Sequence, residues 1–510
     1  MTPQLLLTAE EAYPAFERAA LGASDRIVMG FRIFDPMTKL RSEEACEIGD
    51  DWVDFMVHLL RKGIDIDLTL SDFDPIVSPE MHELTWASIR KTCAIAELAG
   101  DAGKRLQVRA DMHPARVGWM TASMLWPRVR SELTEIREIL NDLDPAIRHA
   151  RFRDLPGLTS WLKLNDDGFV EQYAGGPFPL HPVSHHQKLA VIDGRILYIG
   201  GLDLNPRRYD TPRHHRPGEE TWHDIQLMIE GPVAEAAEAH LRRFSEASRA
   251  KAPPPEQRDG LRLTMSVGRE DPVVAFGPEP TCSGLNDALV EGVRSARKLL
   301  YFETQFFRDQ ALAEIIAEAG RADPDLEVLF ILPAAPEDVA FDNRTKVDAR
   351  FGEYLQAACV DKVNEAFGGR AFFASPAQPR EAPLDKRDTR ACFHGSPLIY
   401  VHAKLAIFDR RSVLVSSANM NSRSLHWDTE AGVLVEDEEF ARHALGRALG
   451  HWCRDRQPDF DAPLVPQIRD LAEIDAVRQP ENRETYLLPY DVEVAREFGT
   501  YLPGIPDELV

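Results

Sequence analysis

A chain of 510 residues has room for two to four cores, and 44% hydrophobic with 28% charged residues is a globular balance that speaks against disorder. The formal charge of -24 argues against a general nucleic-acid binder and against average attraction to an anionic bilayer, leaving only local basic pockets for either. No run of about 18 apolar residues marks a membrane span.

The N-terminus offers Leu5, Leu6 and Leu7, followed by Glu10 and Glu11, without the basic and long apolar regions of a signal peptide. A cytoplasmic chain is expected, or one exported without a classical signal, as a secretion-system effector would be. AYPAFERAAL then reads as an amphipathic helix, DRIVMGFRIFD around Ile27 as a strand, and GIDIDLTLSDFDP as a buried strand ending in a turn. From about His82 to Ala150 the pattern is helical. His186-Gln-Lys188-Leu-Ala-Val-Ile-Asp193 reads as a strand entering the Asp193-Gly194 hairpin signal. The segment Lys251–Gly260, with three prolines, reads as a stiff linker. LNDALVEGVRSA repeats the helix pattern, RKLLYFETQFF around Leu299 and DLEVLFILPAAP repeat the strands, and VHAKLAIFD repeats the histidine motif. The tail from about Asp455 is rich in Pro, Asp and Glu and is expected to wrap the surface. Six cysteines (Cys46, Cys93, Cys282, Cys359, Cys392, Cys453) form no CxxC pair and are expected to be reduced, inert core residues.

The chain is thus written twice. His186 and His402 are 216 apart (402 − 186), and the same offset links Lys188 to Lys404, Asp193 to Asp409, Gly201 to Ser417, Asp203 to Asn419, Asn205 to Asn421 and Arg207 to Arg423. The upstream strands align at an offset of 272 (299 − 27), so the first half carries about 56 extra residues (272 − 216), assigned to the helical stretch 82–150. The expected fold is α/β, built as two tandem, similar α/β/α sandwich halves related by a pseudo-twofold axis: residues 1–255 with the first motif, and 256–510 with the second motif and the tail. Such an axis would bring one motif from each half to a shared cleft.

Side chains alternate along a strand, so His186 and Lys188 share a face while Asp193 does not. Asp193 and Asp409 therefore read more readily as anchors of their motifs than as direct partners of the histidines. A single His-x-Lys would ordinarily be a surface strand pair; two copies at constant offset point to paired chemistry. One imidazole can attack phosphorus in line while the other protonates the leaving alcohol, with Lys188 and Lys404 neutralising the non-bridging oxygens. Ser417, Asn419 and Asp203 on the return strands are candidates to shape the same pocket. Asp224 in TWHDIQLMIEGP and Glu430 in DTEAGVLVED are candidates to orient the imidazoles, without an indication of which serves which. The histidine groups at 185–186 and 214–215 lack zinc-type spacing, so no metal site is expected. Tyr209 and Asp210 read as loop-shaping, and Phe302, Phe306 and Phe307 as core beside the cleft.

The two HxKxxxxD motifs with their flanks resemble the phospholipase D superfamily. HHQKLAVID, GGLDLNPRRYDTP, WHDIQLMIEGP, YFETQFF and YVHAKLAIFD…SSANMNSRSL…DTE are similar, in order, to plant phospholipase D blocks from about Asp25 to Glu436. The resemblance implies hydrolysis of phosphatidylcholine- or phosphatidylethanolamine-like lipids to phosphatidic acid through a phosphohistidine, with transfer to other alcohols as a side reaction. It implies His186 as nucleophile, His402 as general acid/base, the whole His–Lys–Asp motifs with Asp224 and Glu430 as the catalytic set, and Gly201, Asp203, Gln305, Ser417 and Asn419 as substrate-binding residues. Two departures are Ser416 in place of the usual motif glycine and Thr304 in place of Asn. The plant enzymes' calcium-dependent lipid-binding domain is not seen before Asp25, so no cofactor is expected and calcium dependence is not indicated. The expected partner is a phospholipid at a membrane surface, with no nucleic acid, and a monomer would suffice. A phosphatidyltransferase or nuclease of the same superfamily is the alternative; a non-catalytic scaffold would not need two complete His–Lys pairs.

Overall fold

The computed structural model describes residues 3–173, 179–270, 272–342, 346–454 and 456–509. Two large mixed sheets organise the chain. The first runs in the order Gln4–Leu7, Ile225–Glu230, Ile196–Gly200, Leu189–Ile192, Arg26–Phe31, Asp65–Asp72, Leu106–Met112. The second repeats that order with Leu261–Val267, Glu430–Val435, Ser412–Ser416, Lys404–Phe408, Leu299–Thr304, Glu327–Ile331, Ala371–Pro376, and adds one strand at each edge. In both, the motif strand lies antiparallel between a hairpin partner and the opening strand of its half.

Local chemistry explains the elements. Helix Trp52–Lys62 starts where the Asp51 carboxylate accepts the Val53 N–H and stops at Gly63, whose φ of 102° few side chains tolerate. Both motif hairpins turn through two left-handed residues, Asp193–Gly194 (φ 53° and 65°) and Asp409–Arg410 (50° and 57°).

Each sheet carries helices on both faces. Apolar faces of helices Thr8–Leu21 and Trp52–Lys62 bury one side of the first sheet, and those of Gly284–Ser295, Gln310–Ala322 and Val347–Phe367 the corresponding side of the second. The remaining faces merge in one core that joins Val191, Leu197 and Leu227 of the first sheet to Leu405, Val413 and Val433 of the second, with helices Pro232–Ser248 and Glu438–Cys453. Contacts between the halves exchange in pairs, as a two-fold relation requires. His185 bridges Thr429 while His223 bridges Val401, and His186 N–H donates to the Thr429 carbonyl while His402 N–H donates to that of His223.

Four expectations need correction. The upstream offset is 273, not 272: Ile27 pairs with Ile192 and Leu300 with Phe408, and 300 − 27 = 273. In a strand that single residue exchanges the two faces. The extra residues of the first half do not begin at His82. Helix Pro79–Ala99 and strand Leu106–Met112 match helix Val347–Phe367 and strand Ala371–Pro376 of the second half. The excess follows Met112, where 76 residues (113–188) lead to the motif strand against 27 (377–403) in the second half. The tail does not merely wrap the surface: Leu487–Pro489 pairs with Ala374–Pro376 as an edge strand, because Leu487 and Leu488 are apolar enough to bury there. Asp455 itself lies outside the described residues. Of the six free cysteines, Cys46 and Cys93 are exposed and only Cys359 and Cys453 lie in the core.

Candidate active site

Both motif histidines sit just before their strands, where the two halves meet, and both line one cleft of about 460 Å³. Each imidazole is held by a carboxylate of the opposite half. His186 Nδ1 donates to Glu430 at 2.8 Å, and His402 Nδ1 donates to Asp224 at 2.6 Å. With Nδ1 bearing the proton, Nε2 is the ring atom left for a ligand. The carboxylates are themselves fixed. Glu430 accepts from Ser417 Oγ at 2.5 Å, while Asp224 accepts from Trp222 Nε1 at 3.2 Å and from the Ile225 N–H at 2.9 Å.

Lys188 and Lys404 lie beneath the histidines, buried, each ammonium donating to the backbone carbonyl of the histidine two residues before it. Two imidazoles, two ammonium groups and two carboxylates thus share one dry cluster. Burial, then the adjacent lysine, pushes both histidines well below the ordinary imidazole range. Burial pushes the Lys404 ammonium down to about 7, and Lys188 in the same direction. Burial pushes Asp224 up to about 6 and raises Glu430, both opposed by the lysines. A bound anion would hold protons on the lysines and on one imidazole.

The substrate-binding set divides. Asn419 and Gln305 reach the cleft; Asn419 Oδ1 is buried without a partner, and Gln305 donates to the Tyr400 hydroxyl at 2.8 Å. Gly201, Ser417 and Asp203 do not form the cleft wall. A Cβ at Gly201 would stand 2.2 Å from the Asp224 carboxylate, so this glycine makes room for that group, and Ser417 at the equivalent position positions Glu430. Asp203 accepts from the Ile33 N–H at 2.8 Å, and its charge helps keep Lys188 protonated.

Asp193 and Asp409 do not belong with the reacting groups. Asp193 accepts from the backbone of Ser24, Asp25 and Arg26 and from the Ser24 hydroxyl; Asp409 accepts from the backbone of Arg297, Lys298 and Leu299. The length of the motif strand carries them to the far end of the hairpin, where each ties the motif to the start of the neighbouring strand.

Sequence reasoning missed the arginines. Arg32, Arg208, Arg308 and Arg423 line the cleft, together with Glu80, Glu337, Asp338, Asp342 and Asp348, so guanidinium groups stand beside the histidines in a wall of mixed charge. Arg208 stacks on Trp222, 3.5 Å from the ring centroid, and Trp222 packs against His402. Arg308 lies over Phe306 and against Gly352, whose absent Cβ would stand 2.6 Å from the guanidinium carbon. Arg32 Nε and Arg308 Nε are buried without hydrogen-bond partners. A signal was present: Arg32 and Arg308 each follow the opening strand of their half, where ligand sites of α/β sheets gather. Phe302 and Phe307 are core as expected, and Phe306 is instead the arginine's platform in the cleft wall.

Duplicated α/β halves that turn one histidine from each, with its lysine beneath, toward a single cleft lined in part by arginines define a two-motif site suited to a phosphate-like group. A family model described as a cardiolipin synthase, PLD-like domain matches residues 289–452. Phospholipase D gamma 1 of Arabidopsis thaliana is 22% identical over 460 residues, covering 61% of this chain and 54% of its own. Phospholipase D alpha 1 of Carica papaya is 24% identical over 358 residues, covering 48% and 44%. The chain spans about half the length of these curated relatives. Among solved structures, phosphatidylserine synthase of Haemophilus influenzae aligns over 93% of each chain with a TM-score of 0.49 and 11% identity. These matches support a place for the chain in the phospholipase D superfamily.

Proposed function

We propose that the protein is a phospholipase D-type phosphodiesterase that cleaves the distal phosphodiester of a glycerophospholipid through a covalent phosphohistidine. The observation that carries this reading is the crossed pairing of His186 with Glu430 and His402 with Asp224 at one cleft. That pairing supplies two imidazoles with Nε2 free. Following the order of the superfamily, His186 Nε2 attacks phosphorus while His402, protonated once the phosphate anion offsets the lysines, gives its proton to the departing head-group oxygen. A P–N bond forms and the P–O bond breaks. Water then attacks phosphorus, His402 takes its proton, and the P–N bond breaks to release phosphatidic acid. Arg32, Arg308 and the two lysines hold the non-bridging oxygens through both steps. An alcohol in place of water gives transphosphatidylation, and the cardiolipin synthase description of the matched family keeps a phosphatidyltransferase as the second reading.

The test is incubation with phosphatidylcholine and phosphatidylethanolamine vesicles, with and without added glycerol, and separately with single-stranded DNA. Release of head group with intact DNA supports the lipase. Phosphatidylglycerol with little phosphatidic acid supports the transferase, and DNA cleavage with intact lipid rejects both.

A further inference from the structure

Three histidines that the cleft does not use converge behind it. His214 lies in the loop after Asp210, His223 directly precedes Asp224, and His451 stands near the end of helix Glu438–Cys453. One ring nitrogen from each lies within 4.8 Å of the others, and His214 Nε2 is 3.1 Å from His451 Nε2. Ligand atoms at about 2.0–2.1 Å from a tetrahedral zinc ion stand about 3.3 Å apart, close to that spacing.

The outer partners have the form that metal-binding imidazoles require. His214 Nδ1 donates to Asp210 at 2.7 Å, and His223 Nε2 donates to Glu303 at 2.8 Å, whose other oxygen accepts the Tyr301 hydroxyl at 2.6 Å. A carboxylate acceptor fixes the tautomer, so His214 Nε2 and His223 Nδ1 turn lone pairs inward. A hydrogen bond between His451 and His214 would account for their short approach. It leaves His223 Nδ1 unexplained, because that atom is buried and has no partner. One divalent cation at the centre of the three rings would give that atom a partner. Three imidazole nitrogens, grouped without a carboxylate or thiolate ligand among the described residues, favour zinc over calcium or magnesium.

We propose that His214 Nε2, His223 Nδ1 and His451 Nε2 bind one zinc-class divalent cation that clasps the C-terminal helix to the segment carrying Asp224. None of the three lines the catalytic cleft, so the ion is structural. His451 is the least buried of the three.

The test uses the full-length protein, stripped with EDTA and titrated with Zn2+ and, separately, Co2+. One Zn2+ per chain, a rise in Tm on its addition, and the intense visible absorption of four-coordinate Co2+, displaced by Zn2+, are expected. His451→Gln, at the least buried of the three positions, should fold by circular dichroism yet lose both the ion and the Zn2+-dependent rise. A His186→Asn/His402→Asn double variant should keep them. Absence of stoichiometric Zn2+ or of the Co2+ absorption in the unmutated chain overturns the proposal, whatever the variants do. So does an ion that survives in His451→Gln or vanishes in the double variant.

Discussion

His186 and Glu430 stand 244 residues apart in the chain and 2.8 Å apart in the fold. Neither half holds its own histidine in the reactive tautomer; each supplies the carboxylate for the other. Glu430→Gln and Asp224→Asn keep the shape of the acceptor and lose its charge. Each is expected to lower kcat by about 10²–10⁴-fold, the range of a lost acid–base function, with a smaller change in KM. Steady-state kinetics on folded variants checks this, and near-normal kcat in either would separate the pairing from catalysis.

The two histidines should fail differently. His186→Ala is expected to abolish turnover. His402→Ala, given a diester with an activated leaving group that needs no proton, is expected to accumulate a phosphoenzyme. Intact mass spectrometry reads the adduct; its appearance in His186→Ala would reverse the assignment.

The pH profile follows from Lys404. Burial lowers its ammonium to about 7, so the charged form is full below that value and is lost as pH rises through it. In the proposed mechanism the charged form binds phosphate, so kcat/KM of the free enzyme is expected to fall on the alkaline side from about pH 7. Lys404→Arg stays charged throughout and should move that limb upward even where its overall rate is lower. A limb unmoved in Lys404→Arg would belong to another group.

Asp193 anchors rather than reacts. Asp193→Ala removes the acceptor of three backbone N–H groups at a partly exposed site, with an expected loss of about 1–2 kcal/mol. Its Tm in thermal melts should fall while kcat per folded molecule stays near normal. A large kcat loss at unchanged Tm would return this residue to the chemistry.

Gly352 is a test of Arg308 that leaves the arginine in place. Gly352→Ala puts a methyl where the guanidinium lies and is expected to raise KM about ten-fold, the worth of one charge-assisted hydrogen bond. Arg308→Ala should do at least as much. Unchanged KM in both would remove Arg308 from the phosphate site.

What the sequence determined by itself is whatever depends on short range or on repetition. The offset of 216 displays the duplication, and Asp193-Gly194 marks the hairpin, because these follow from repetition and from neighbours in the chain. The tertiary structure alone decided that Glu430 serves His186, that Arg32 and Arg308 meet in one cleft, that Leu487–Pro489 completes a sheet, and that His451 comes to His214. Those relations join segments far apart in sequence, and only the packing of two sheets face to face sets which of them touch.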